Sequence, residues 1–188
     1  MKTRKIIFLL FIITFFGCKS EISNCIINKP TIKSTNKQLR NNPYLKDDKI
    51  YLESEKYLLS RRIEIRNKIL DSLNILKSYT KLIIVDHFWD SNGRQLEANY
   101  LLFGNKLLEV KYEYENPEKH YIKEISQDKS EHINKIINYF NKANLNDING
   151  KIDFISFVFY NITVLINKQV GYYEITTDSI ANNIKRIE

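Results

Sequence analysis

Glycine is scarce in this 188-residue chain, with five in all, and so are proline with three, histidine with three and cysteine with two. Each shortage removes a class of chemistry. Five scattered glycines form no Gly-rich loop of the kind that brings backbone amides against phosphate, and neither G-x-S-x-G nor H-E-x-x-H occurs. The two cysteines, Cys18 and Cys25, both lie near the N-terminus, so no disulfide framework staples the body. Cys25 has no histidine near it in sequence to activate its thiol. The histidines, His87, His120 and His132, are scattered and show no zinc-ligand spacing, so neither a metal nor a cofactor is expected. The basic excess, 29 Lys and Arg against 22 Asp and Glu, is spread along the chain rather than clustered. That is not the footprint of a nucleic-acid binder, and no nucleic-acid partner is expected.

What is present begins at the N-terminus. Lys2, Arg4 and Lys5 precede an apolar run from Ile6 to Phe16, the charge-then-apolar order of a secretory signal. As a helix rising ~1.5 Å per residue the run is roughly 16 Å long, about half of a ~30 Å hydrocarbon core, and too short to span it. Cys18 stands at its polar border. Phe15-Phe16-Gly17-Cys18 resembles the lipobox of bacterial lipoproteins, in which a small residue precedes a cysteine that is diacylated and becomes the new N-terminus. Gly17 and Cys18 match that pattern, whereas Phe15 and Phe16 stand where leucine and a small residue are usual. The resemblance implies removal of residues 1–17, palmitate-type lipidation of Cys18, and a membrane partnership through that lipid alone. Two or three acyl chains hold a protein stably, each buried CH₂ contributing ~0.8 kcal/mol. The implied address is the cell envelope, with the outer membrane favoured, on its periplasmic or surface face. Loss of the leader takes three basic residues with it and leaves a net charge of about +4.

Residues 18–46 are rich in Asn, Lys, Ser and Thr with only isolated apolar positions, a composition that reads as a flexible tether. The folded domain is expected over residues 47–188. Leu59, Ile63, Arg66 and Leu70 recur at three- and four-residue steps, predicting a long amphipathic helix between Asp47 and Ser78, with a break near Ser54. Arg61, Arg62, Glu64, Arg66 and Lys68 mark mostly its solvated side. From Tyr79 the period becomes two. Asn92-Gly93 supplies a hairpin turn, Leu96, Ala98, Tyr100 and Leu102 alternate along the returning strand, and Gly104-Asn105 turns again. On the third strand Leu108, Val110, Tyr112 and Tyr114 face one way and Glu109, Lys111, Glu113 and Glu115 the other. His120 to Ile125 supplies a fourth strand. Ile133, Ile136, Ile137 and Phe140 predict a helix capped by Asp128 or Ser130. A hairpin of Ile152 to Ile166 with Val170 to Thr176 follows, and Ile180, Ile184 and Ile187 suggest a short closing helix. The fold class expected is α+β: a mostly antiparallel sheet, a four-strand meander plus a C-terminal hairpin, with the helices packed on one face.

Chemistry concentrates in Asp86-His87-Phe88-Trp89-Asp90. On a strand Asp86 and Asp90 share one face and His87 and Trp89 the other. His87, Asp86 and Asp90 are therefore weak catalytic candidates that need a partner from another strand. Trp89, Tyr112 and Tyr114 are weak candidates for an exposed aromatic binding face. The expected function is a lipid-tethered binding or interaction module. The alternatives are an immunity or inhibitor lipoprotein acting on an envelope-targeted toxin and, behind it, a hydrolase with a scattered site around His87. A protein partner suits the first two.

Overall fold

The computed structural model describes residues 27, 32–33, 37, 48–88, 95–113, 116–126, 131–142, 150–152, 159–167, 169–177 and 182–186. Cys18, Trp89, Asp90 and Tyr114, with the Asn92-Gly93 turn and the helix cap at Asp128 or Ser130, lie outside the described residues.

The period change at Tyr79 separates a helical segment from a sheet. Helix α1 spans Lys49–Ser72, and the Asp48 side chain caps it by accepting from Tyr51 N–H at 2.9 Å. The helix runs through Ser54 without a break. It stops instead at Asn74, whose left-handed backbone (φ 53°) is a conformation that Asn tolerates better than most residues, and a single turn, α2 (Ile75–Ser78), follows.

Eight strands follow: β1 (Lys81–Phe88), β2 (Leu96–Phe103), β3 (Lys106–Tyr112), β4 (His120–Glu124), β5 (Gly150–Ile152), β6 (Phe159–Ile166), β7 (Gln169–Thr177) and β8 (Asn182–Arg186). Helix α3 (Glu131–Lys142) lies between β4 and β5. All eight strands form one sheet in the order β4-β3-β2-β1-β6-β7-β8-β5, and every neighbouring pair is antiparallel. The four-strand meander is the one the alternation predicts, and the β6–β7 hairpin is present, but its first strand begins at Phe159, and Ile152, expected at its start, lies on β5 paired with β8. The fold is α+β.

The helices do not share a face. Alternate residues of β1 separate into two cores. Leu82, Ile84 and Phe88 pack with Leu59, Ile63, Ile69 and Leu70 of α1, whereas Ile83 and Val85 pack with Ile133, Ile136, Ile137 and Phe140 of α3. One-sided packing is thus corrected to helices on both faces, α1 with α2 on one and α3 on the other. The reason is visible in β1 itself, since a continuous apolar run such as Leu82-Ile83-Ile84-Val85 is buried only when both faces are covered. Ile27 is also buried in the α1-side core and Ile32 packs against it, so that core draws on side chains from before residue 47.

Two further expectations change. A bulge opposite His87 and Phe88 pairs His87 with Ala98 but Phe88 with Leu96, leaving Glu97 as the extra residue. Leu96 is thereby sent to the α1 side while Ala98, Tyr100 and Leu102 stay on the α3 side. The C-terminal segment is strand β8, not a helix. Ile180 and Ile184 are four apart, a spacing that shares a face on a helix and on a strand alike. Pairing of Ile184 with Ile175 carries it into the α3-side core.

The α3 layer is held by its apolar stripe, with the Phe140 ring 5.0 Å from that of Tyr173 on β7. Truncating this fully buried ring, Phe140→Ala, is expected to cost about 3–5 kcal/mol, read as a lowered urea midpoint with an unchanged slope.

Candidate functional site

Adjacent residues Asp86 and His87 on the central strand point to opposite faces, and each gathers its own set of polar partners. Asp86 lies under α1. Its Oδ1 and Oδ2 accept from Arg66 Nη1 at 2.6 and 2.8 Å, and Oδ1 also accepts from Asn99 Nδ2 at 2.6 Å. The Tyr112 hydroxyl donates to Asn99 Oδ1 and lies 2.9 Å from the Arg62 carbonyl oxygen. Arg62 Nη2 donates to the Glu113 carbonyl at 3.2 Å, and its guanidinium carbon sits 5.7 Å from the centre of the Tyr112 ring. Burial pushes the Tyr112 phenol well above its ordinary range, so it stays a donor throughout the physiological range. Asn161, opposite Asp86 on β6, is buried too, and its side-chain amide has no hydrogen-bond partner among the described residues.

Arg62, Arg66, Asp86, Asn99 and Tyr112 are all shut off from solvent. The arrangement is therefore an internal tie between α1, β1, β2 and β3. Asp86 is held as an ion-pair partner, away from any substrate. Arg62 and Arg66 leave the solvated side assigned to them, and Tyr112 leaves the exposed aromatic face. The signal for this was in the spacing: Arg66 falls on the same helical stripe as Leu59, Ile63 and Leu70. A charge on an apolar stripe requires a buried partner.

His87 lies on the α3 side. Its ring stacks on Tyr160 with centroids 5.1 Å apart and planes 18° apart, and Tyr100 lies 6.4 Å away. Its Nδ1 is 3.7 Å from Glu97 Oε2, and Glu97 Oε1 is 3.6 Å from Lys111 Nζ. The bulge places Glu97 here. The separation exceeds the ~2.6–3.2 Å reach of a general acid or base, so the contact is electrostatic. Burial lowers the His87 pKa below its ordinary value, with Glu97 opposing.

Two surface features complete the picture. A shallow cleft of about 120 Å³ is lined by Tyr79, Thr80, Lys81, Leu102, Gly104 and Asn141, away from His87. Lys81 Nζ donates to the Asn141 carbonyl there at 2.5 Å, and burial lowers its pKa. The other feature is β4, an edge strand on which every residue is exposed, including Tyr121 at 56 % and Ile122 at 49 %. Among the described residues no group of three or more His, Cys, Asp or Glu side chains is placed to hold a metal ion, and no helix is long and apolar enough to cross a membrane.

The class this geometry defines is an antiparallel α+β sheet with helical packing on each face and β4 and β5 as its edge strands. No protein-family model, no curated protein and no solved structure matches the chain.

Two predictions follow from the polar residues of β1. Asp86→Ala leaves Arg66 buried without its carboxylate and is expected to cost about 3–5 kcal/mol, whereas Arg66→Met combined with Asp86→Leu recovers most of that loss. Chemical denaturation of both variants tests this, and equal losses would contradict it. For His87 the folded pKa is depressed, so the unfolded chain binds the proton more readily. Stability is complete above the ordinary histidine range near ~6.5 and falls as pH drops through it. The slope of stability between about pH 7 and pH 5 should flatten in His87→Gln.

Proposed function

We propose that this chain is a bacterial lipoprotein, held to the cell envelope by lipid on Cys18, whose folded domain is a binding or interaction module. The basic start, the short apolar run and the Gly17-Cys18 pair support the anchor. The observation that carries the module is β4. An edge strand offers a row of open backbone donors and acceptors, and most proteins blunt or cover such an edge. Among the described residues no strand pairs with its outer side, and it carries two large exposed apolar side chains, Tyr121 and Ile122. Strand addition to such an edge takes affinity from main-chain hydrogen bonds and selectivity from alternate side chains.

The anchor is tested by Cys18→Ala. The wild-type protein should sediment with membranes and have Cys18 as its lipidated first residue by mass spectrometry. The variant should leave the membrane fraction. An unmodified Cys18 thiol in the membrane-bound wild type would refute the anchor.

A further inference from the structure

We propose that β4 pairs antiparallel with β4 of a second copy of this chain, joining two eight-stranded sheets across a two-fold axis at Ile122. The proposal rests on the reading of the domain as an interaction module and names its partner.

The backbone sets the register. Ile125 N–H donates to the Leu107 carbonyl, and Glu113 N–H donates to that of Lys119. Hydrogen bonding alternates along an antiparallel ladder, so Tyr121 and Lys123, together with the Lys119 carbonyl and the Ile125 amide, face β3, while the Lys119 amide bonds the Asn116 carbonyl in the turn. His120, Ile122 and Glu124 turn theirs to the open edge. Outward groups can bond only to outward groups. A copy centred on Ile122 meets this condition, with Ile122 opposite Ile122, and His120 opposite Glu124 on either side.

The side chains agree with that register. His120, Ile122 and Glu124 lie opposite Tyr112, Val110 and Leu108 on β3, which places them on the α1 face, while Tyr121 and Lys123 lie on the α3 face. A two-fold axis normal to the sheet keeps each face continuous. On the α1 face, isoleucine then meets isoleucine and an imidazole meets a carboxylate. On the α3 face, Tyr121 meets Lys123, an aromatic ring beside an ammonium group. The neighbouring registers allowed by the outward groups set Lys123 against Lys123, or Lys119 against Lys123. Like charges opposite one another disfavour both. The pairing also covers the two large apolar side chains that β4 leaves in water.

The full chain, extracted from membranes in detergent, is expected to be a dimer by native mass spectrometry. Ile122→Lys sets two lysines on the axis and should give a monomer with an unchanged circular dichroism spectrum. Ile122→Pro should do the same, because the N–H it removes points to the open edge and not to β3. Register is read in a Cys25→Ala background. Cells making one chain with Tyr121→Cys and another with Lys123→Cys should yield more mixed disulfide than either chain gives with itself. A monomeric wild type, a dimer that survives both Ile122 substitutions, or a predominance of same-site disulfides would overturn the proposal. A wild-type monomer that binds a different protein through β4 would overturn self-pairing and leave the interaction module standing. A monomer that binds nothing through β4 would remove both.

Discussion

The structure depends on a buried ion pair at the middle of its sheet. Arg66 and Asp86 lie 2.6 Å apart with essentially no solvent contact, in surroundings where an unpartnered charge costs several kcal/mol. The pair is tolerable because its remaining valences are met. Asn99 bonds the carboxylate, Tyr112 bonds Asn99, and Arg62 spans from the α1 backbone to β3. Each contact joins a different element, so the network fixes how α1 lies on the sheet. A one-residue slip of β1 would move Asp86 to the α3 face and leave Arg66 buried alone. Hydrophobic matching would tolerate the slip far better, since Leu82, Ile83, Ile84 and Val85 are nearly interchangeable in character.

That near-equivalence explains which parts of the fold were legible in the chain. Period and turn chemistry were enough for α1 and the meander, because strand and helix repeats differ and Gly104, with φ at 56°, marks a turn in its own right, whereas the apolar run from Ile152 to Ile166 did not show that Ile152 belongs to a separate strand. Which face a residue serves was less legible. A bulge is a single extra residue with no compositional mark, yet it reverses Leu96 and brings Glu97 to His87. The Ile180–Ile184 interval fits helix and strand equally, and only pairing with β7 resolves it. The same holds at the candidate sites. Asp86 and His87 stood out because a strand carries few titratable residues. Their partners Arg66, Asn99 and Glu97 lie 20, 13 and 10 positions away and are joined to them only by the fold.

The two faces then divide the work. On the α1 side the polar groups are enclosed, and Ile27 and Ile32 pack there. On the α3 side His87, Glu97 and Lys111 form a half-buried polar rim. Among the described residues, the large exposed apolar side chains of the sheet are Tyr121 and Ile122 on the β4 edge. An edge is also the only part of a sheet at which the hydrogen-bonded structure can be extended.

Direction connects that edge to the proposed anchor. Two copies joined through β4 by an axis normal to the sheet present both α1 faces on the same side. Both N-terminal segments, packed through Ile27, would therefore approach the pair from one side. Such an arrangement would suit two lipid anchors entering a single bilayer, whereas packing the sheets through their α3 faces would put the two Ile27 positions on opposite sides. Confinement to one membrane would in turn raise the effective concentration of one β4 for another. A short strand pair that is weak between free molecules in solution would then form between tethered ones, because the proposed anchor would already have removed part of the freedom that pairing otherwise costs.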